Sequence, residues 1–299
     1  MTYLDGNLSR PSVEDTFVGR EFPFTRRDFR QIASILLKDA GIALGEAKAP
    51  LVYSRLVKRM RRLGVENFKR YCELVETEEG DGERHHMIAA LTTNVTRFFR
   101  EPHHFEHLKK RVLPDLLEDA RRGGRLRIWS AGCSTGEESY SIALTILSLM
   151  RDAPRFDIKI LATDINKLVL AHGRQGVYSE AALAPVLRQQ RADWFAPLRG
   201  DEGEKAWQVG DELRALVAFR ELNLMADWPM KQAYDAIFCR NVLIYFEDST
   251  RTQIWNRFVG LLAPRGCLYV GHSERIADSS SRFELEDFTT YRLKESAQP

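Results

Sequence analysis

The chain has 299 residues, the length of one large domain or two ordinary ones, and at 44% hydrophobic and 29% charged it can bury a sizeable core and is no disordered tail. Basic and acidic residues nearly cancel, 44 Lys and Arg against 42 Asp and Glu, so no overall field points to nucleic acid. The richest apolar run, Ser141–Met150, falls well short of the ~20 residues of a membrane span, and acids precede any apolar run at the N-terminus, against a secretory signal.

Cys72, Cys133, Cys239 and Cys267 lie far apart with no CxxC pair, which argues against structural zinc or a disulfide scaffold. A cytoplasmic protein with reduced thiols, no metal and no direct membrane insertion is expected. Along the chain, residues 1–23 carry Gly6, Pro11, Gly19 and Pro23 without a period and read as a flexible lead-in. Residues 24–91 then read as an all-α domain. Thr25 is a cap with Asp28 three positions on, and Phe29, Ile32, Ile35 and Leu36 follow at helical spacing. Leu51–Leu63, Phe68–Val75 and Met87–Leu91 supply further helices. Residues 26–70 hold twelve Lys and Arg against four Asp and Glu, so the basic excess lies here.

After a linker at 92–105, residues 106–299 read as α/β. Strands are expected at Arg125–Ser130, Asp157–Thr163, Tyr234–Phe238 and Gly266–Val270, and helices at Glu137–Met150, from Asn166, and at Thr250–Leu262. This alternation is that of a doubly wound, Rossmann-like parallel sheet, which binds ligands at the carboxyl ends of its strands. Residues 176–222 break the alternation. Asp193–Leu198, the turn Gly200–Gly203 and the strand-like Leu213–Glu221 read as a small antiparallel β insertion at the edge of the domain.

The first strand runs into Ser130–Glu138 (SAGCSTGEE). Its glycines suit a tight turn and close ligand approach, yet both the P-loop lysine and the GxGxxG spacing are missing. Glu137 and Glu138 open the next helix, where a diphosphate would meet their charge. The turn suits a phosphate-free ligand with cationic and hydroxyl groups, a description that S-adenosylmethionine (SAM) meets; an ordinary capped turn is the alternative. Asp164 ends the second strand and can accept two ribose hydroxyls, or else cap the following helix. Arg240 and Asn241 follow the third strand directly, which places both at the pocket mouth, and Tyr245 lies one helical turn further on.

Three motifs carry a specific likeness: Ala90–Glu101 (ALTTNVTRFFRE), Trp129–Glu138 (WSAGCSTGEE) and Ile237–Phe246 (IFCRNVLIYF), joined by Leu262–Gly266 (LAPRG) and Gly271–Glu274 (GHSE). With these in order, residues 25–295 resemble the chemotaxis receptor glutamate O-methyltransferase family, CheR. The resemblance implies a SAM-dependent methyltransferase domain behind an all-α domain, and methyl transfer to glutamate carboxylates of chemoreceptors. It implies cofactor contacts at Asn94, Thr96, Arg100, Glu137, Asp164, Asn223, Leu224, Asn241 and Val242, with Arg100 and Tyr245 nearest the transferred methyl.

On the helix at Leu51–Leu63, Val52, Leu56, Met60 and Leu63 line an apolar stripe, and Arg55, Lys58, Arg59 and Arg62 recur on another face. A solvated face is one reading. The family favours a docking face for the acidic signalling helices of a receptor, with Arg61 flanking. In some family members the β insertion holds a peptide from the receptor tail; the turn Arg199–Gly203 is short for that role and argues against it here. His85-His86 and His103-His104-x-x-His107 invite a metal reading, but the spacing lacks HExxH geometry and surface or capping roles are expected. A nucleic-acid methyltransferase and a non-catalytic SAM sensor are the rival functions; the former lacks a base-holding motif after the third strand. A monomer at receptor arrays, with no nucleic acid partner, is the expectation.

Overall fold

A computed structural model describes residues 16–18, 21–199, 205–276 and 282–294. Two compact units divide between Thr93 and Asn94. In the first, β1 (Thr16–Val18) pairs antiparallel with β2 (Phe24–Thr25), so part of the expected lead-in is strand; residues 1–15, 19 and 20 lie outside the described residues. Four helices follow: α1 (Arg26–Ala40), α2 (Ala49–Leu63), α3 (Phe68–Glu76) and α4 (Asp81–Leu91). The expected cap of α1 forms on both sides: Thr25 Oγ1 accepts the Asp28 N–H and Asp28 Oδ2 accepts the Thr25 N–H.

Val52, Leu56 and Met60 of α2 are fully buried, whereas Leu63 is 43% exposed. Leu63 ends the helix before Gly64, whose positive φ turns the chain away, so it drops out of the apolar stripe. Two cations of the other face turn inward. Arg55 donates to the Ala90, Leu91 and Thr92 carbonyls, the orphan acceptors at the end of α4. Arg59 grips Glu83 with Nε and Nη2 at 2.7 and 2.6 Å, and Tyr71 donates to the same carboxylate at 2.8 Å. Arg61 pairs with Glu21, while Lys58 and Arg62 are exposed and form no ion pair among the described residues.

The second unit opens with α5 (Pro102–His107), a π-type turn at Leu108–Val112 and α6 (Leu113–Arg121). It continues through β3 (Leu126–Ala131), α7 (Glu137–Leu149), β4 (Ile158–Asp164), α8 (Lys167–Gln175), β5 (Val177–Ser179), α9 (Arg188–Trp194), β6 (Phe195–Arg199) and β7 (Lys205–Val209). The remainder is α10 (Asp211–Leu216), β8 (Val217–Glu221), β9 (Tyr234–Cys239), α11 (Asp248–Val259), β10 (Leu262–Val270), β11 (Phe283–Asp287) and β12 (Thr290–Leu293). Seven strands form one sheet in the order β11-β12-β10-β9-β3-β4-β8, parallel from β10 to β8 and antiparallel at the β11–β12 end. Successive side chains alternate between two cores: Leu126, Ile128, Ala236 and Phe238 join one, and Trp129, Ala131, Ile237 and Cys239 the other. Helices therefore cover both faces, and the chain reverses its winding between β3 and β9.

The antiparallel insertion exists but is smaller than expected. β5, β7 and β6 make a separate three-stranded sheet, whereas Leu213–Glu221 is no single strand. Leu213 and Leu216, three apart and buried, belong to α10, and β8 returns to the main sheet parallel to β4. The turn Gly200–Gly203 lies outside the described residues. No helix among them is long and apolar enough to cross a membrane.

Candidate active site

The bend after β3 is built from backbone. Gly132 and Cys133 N–H groups both donate to the Thr163 carbonyl at 2.8 Å, folding the chain over the end of β4. Gly132, Ser134 and Gly136 have φ of 78°, 50° and 99°, so the bend needs three left-handed residues in five. A Cβ at Gly132 would stand 2.3 Å from Val242 Cγ2, which shows how closely the segment after β9 approaches the bend. Glu137 opens α7 nearly buried and accepts the Thr135 hydroxyl at 2.7 Å; burial pushes its carboxyl above the ordinary range. The Thr135 carbonyl takes the Tyr178 hydroxyl of β5 at 2.7 Å.

Asp164, 8% exposed, accepts the Ser134 N–H on one oxygen and the Asn166 N–H on the other, both at 2.9 Å. Burial raises its pKa against the pull of these N–H groups. It does not cap α8: Asn166 does, accepting the Leu168 N–H. The Ile165 N–H also bonds to this carboxylate, so of its roughly four acceptor sites about one remains for a hydroxyl of a ligand. Leu222 N–H donates to the Asp164 carbonyl, which brings Asn223 and Leu224 to the same strand end. Asn223 Oδ1 accepts the Met225 N–H, and the Leu224 side chain is buried in the second core.

Beyond β9, Arg240 departs from expectation. Its side chain is 1% exposed and runs into the interior, 3.0 Å from Glu138 and 3.2 Å from Glu101, and it also donates to the Arg100 carbonyl. A guanidinium between two nearly buried carboxylates is held by charge, so Arg240 does not stand at the mouth. Glu138, which also accepts the Ser130 hydroxyl, is withdrawn with it, leaving Glu137 as the acid of the pair outside that ion cluster. Asn241 adopts φ 58°, unusual outside glycine. Glu274, noted in sequence only as part of a motif, accepts the backbone N–H groups of Asn241, Val242, Leu243 and Gly271. Tyr245 follows in a short turn, Leu243–Tyr245, half-buried.

Residues 94–101 join the same strand ends. Ser134 Oγ donates to the Asn94 carbonyl at 3.0 Å, the Phe99 N–H donates to Ser141 Oγ at 2.9 Å, and Arg100 Nη1 folds back onto the Val95 carbonyl. Thr96 is half-buried in this segment. Bonds thus link Asn94, Asp164 and Leu222, the neighbour of Asn223, to the β3 and β4 ends, and Val242 packs on Gly132; Arg55 and Arg59 are tied up inside the helical unit instead. The histidines also depart from expectation. His104 and His107 are buried, bonded to Thr289 Oγ1 at 2.9 Å and the Tyr269 hydroxyl at 3.0 Å, while His85 and His86 are exposed as expected. Glu101, His103 and His104 bring one ligand-type atom each within 4.8 Å of one another, but Arg240 already sets a positive charge against the Glu101 carboxylate.

The donor set fits SAM. Buried carboxylates with an open acceptor site suit a hydroxyl and an ammonium, and the bend spends its N–H groups on Thr163 and Asp164 instead of a diphosphate. A doubly wound sheet with such a switch point defines the class of SAM-dependent methyltransferases. Residues 94–292 match the family model described as CheR methyltransferase, SAM binding domain, and residues 27–92 that of CheR methyltransferase, all-alpha domain. A probable chemotaxis protein methyltransferase of Rhizobium etli is 52% identical over 86% of this chain and 96% of its own length. Chemotaxis protein methyltransferase 2 of Pseudomonas aeruginosa is 44% identical over 92% of this chain and 96% of its own. The Escherichia coli chemotaxis protein methyltransferase is 42% identical over 89% and 90%. The chain belongs to the CheR family of SAM-dependent chemotaxis methyltransferases, as its motifs imply.

Proposed function

We propose that the protein is a glutamate O-methyltransferase that moves the methyl of SAM onto glutamate carboxylates in the cytoplasmic signalling domain of chemoreceptors, at receptor arrays. The observation that carries the reading is the distribution of charge. Buried acids, Asp164 ending β4 and Glu137 opening α7, flank the bend, and the segment bonded over it carries the cations Arg97 and Arg100. Acids suit a cationic donor; cations suit an anionic acceptor.

Bound there, SAM supplies an activated methyl on a sulfonium. Asp164 accepts a ribose hydroxyl through the lone pair left open by its backbone partners, Glu137 attracts the cationic end, and Asn223, Leu224, Asn241 and Val242 orient the base. Asn94, Thr96 and Arg100 close the segment 92–105 over it. Arg100 holds a carboxylate and Tyr245 orients the acceptor by its hydroxyl. A glutamate with pKa near ~4.3 is ionised at cytoplasmic pH, so no residue need act as a base. Alignment of the reactants can account for roughly 7–11 kcal/mol of the barrier. Receptor docking falls to Lys58, Arg61 and Arg62, the cations of α2 that project outward, with Arg55 and Arg59 holding that helix in place.

The test is transfer of labelled methyl from SAM to a receptor cytoplasmic fragment. Label released by mild base as methanol is expected. Base-stable label, or label on nucleic acid, would overturn the assignment.

A further inference from the structure

Glu274 is 3% exposed and forms no ion pair among the described residues. Its partners are four backbone N–H groups, two on each oxygen. Oε1 accepts from Val242 at 2.9 Å and Leu243 at 2.7 Å; Oε2 accepts from Gly271 at 2.8 Å and from Asn241. Three successive N–H groups converging on one anion require the left-handed turn seen at Asn241, and the anion in turn stabilises it. Gly271 closes the other side: a Cβ there would stand 2.5 Å from Asn241 Nδ2 and 2.6 Å from Glu274 Oε2. On the far side, Val242 presses on Gly132 of the bend. The carboxylate therefore sets both the backbone twist and the depth of the Asn241–Val242 step.

We propose that Glu274 is a positioning residue for the cofactor, holding Asn241 and Val242 in the conformation that receives SAM. The inference rests on the reading of those two residues as cofactor contacts. It explains why a carboxylate is buried with no counter-ion among the described residues, at a cost that only a full set of donors offsets. Glutamine in its place can satisfy one pair of N–H groups but turns its own NH2 towards the other pair. Aspartate keeps the charge and falls one methylene short.

Calorimetry of S-adenosylhomocysteine binding to the full chain, with thermal melting in parallel, tests this. Loss of two charged hydrogen bonds in Glu274→Gln is expected to weaken binding by about tenfold or more, with Glu274→Asp intermediate. The turnover number at saturating SAM is expected to change far less than KM for SAM, because the contact serves binding in ground and transition state alike. A Glu274→Gln protein that melts lower yet binds as tightly as wild type would reduce Glu274 to a structural staple and overturn the proposal. Should that variant fail to fold, Glu274→Asp and Gly271→Ala give the same readout, and unchanged affinity in both is equally fatal. Asn241→Ala separates the two layers. Weakened binding there with none in Glu274→Gln overturns the positioning role alone; no weakening in Asn241→Ala overturns the contact beneath it, and the positioning role with it.

Discussion

At the scale of single residues, His104 shows how burial replaces titration. It has no exposed surface, and desolvation, reinforced by the nearby Arg240 charge, pushes its pKa down to about 2. The unfolded chain takes up a proton at this ring near pH ~6.5, whereas the folded chain does not. Stability from this group is thus complete above pH ~6.5 and declines as pH falls, by roughly 1.4 kcal/mol per unit. Denaturant unfolding of wild type and His104→Gln between pH 5 and pH 8 should show a gap between the two that narrows steadily on the acid side; parallel curves would contradict the assignment. The HHxxH spacing did not reveal this burial, because the partners of His104 and His107 lie 185 and 162 residues further along. The glycine bend and Asp164 were legible for the opposite reason. Their signal, small residues and an acid at strand ends, is local.

Among elements, α2 separates cations that hold the fold from cations that face outward. Arg59 and Glu83 have side chains 17% and 8% exposed, and Tyr71 completes the acceptor set. Arg59→Ala would strand Glu83 and Tyr71 in the bundle, costing about 3 kcal/mol. Arg62→Ala, at an exposed position, should stay within about 0.5 kcal/mol. Melting of both variants checks the contrast, and equal losses would refute it. Helical periodicity in the sequence marked the charged face but not which of its members find partners 24 to 37 residues away. A similar ambiguity merged α10 with β8: Leu213 and Leu216 fit either period until tertiary packing chose the helix and sent β8 to the sheet. The β11–β12 hairpin escaped notice because its alternation is short: Phe283 and Leu285 alternate with acids over only five residues, and Leu285 is exposed.

For the molecule as a whole, catalysis and recognition are assigned to different units, which makes them separable by mutation. Lys58→Glu with Arg62→Glu should raise KM for a receptor fragment several-fold, and the effect should shrink as salt screens it. Affinity for S-adenosylhomocysteine should not move. If it falls in step with receptor KM, α2 serves the fold and not docking. Reversing Arg55 or Arg59 would be the wrong experiment, since both anchor the bundle.

Tyr178 is carried by the small side sheet, yet its phenol closes on the Thr135 carbonyl in the main unit. Cutting that sheet away to obtain a minimal catalyst would withdraw a peg from the chassis. Anyone pruning this enzyme must first graft a substitute hydroxyl beside Thr135, because the appendage is also a brace.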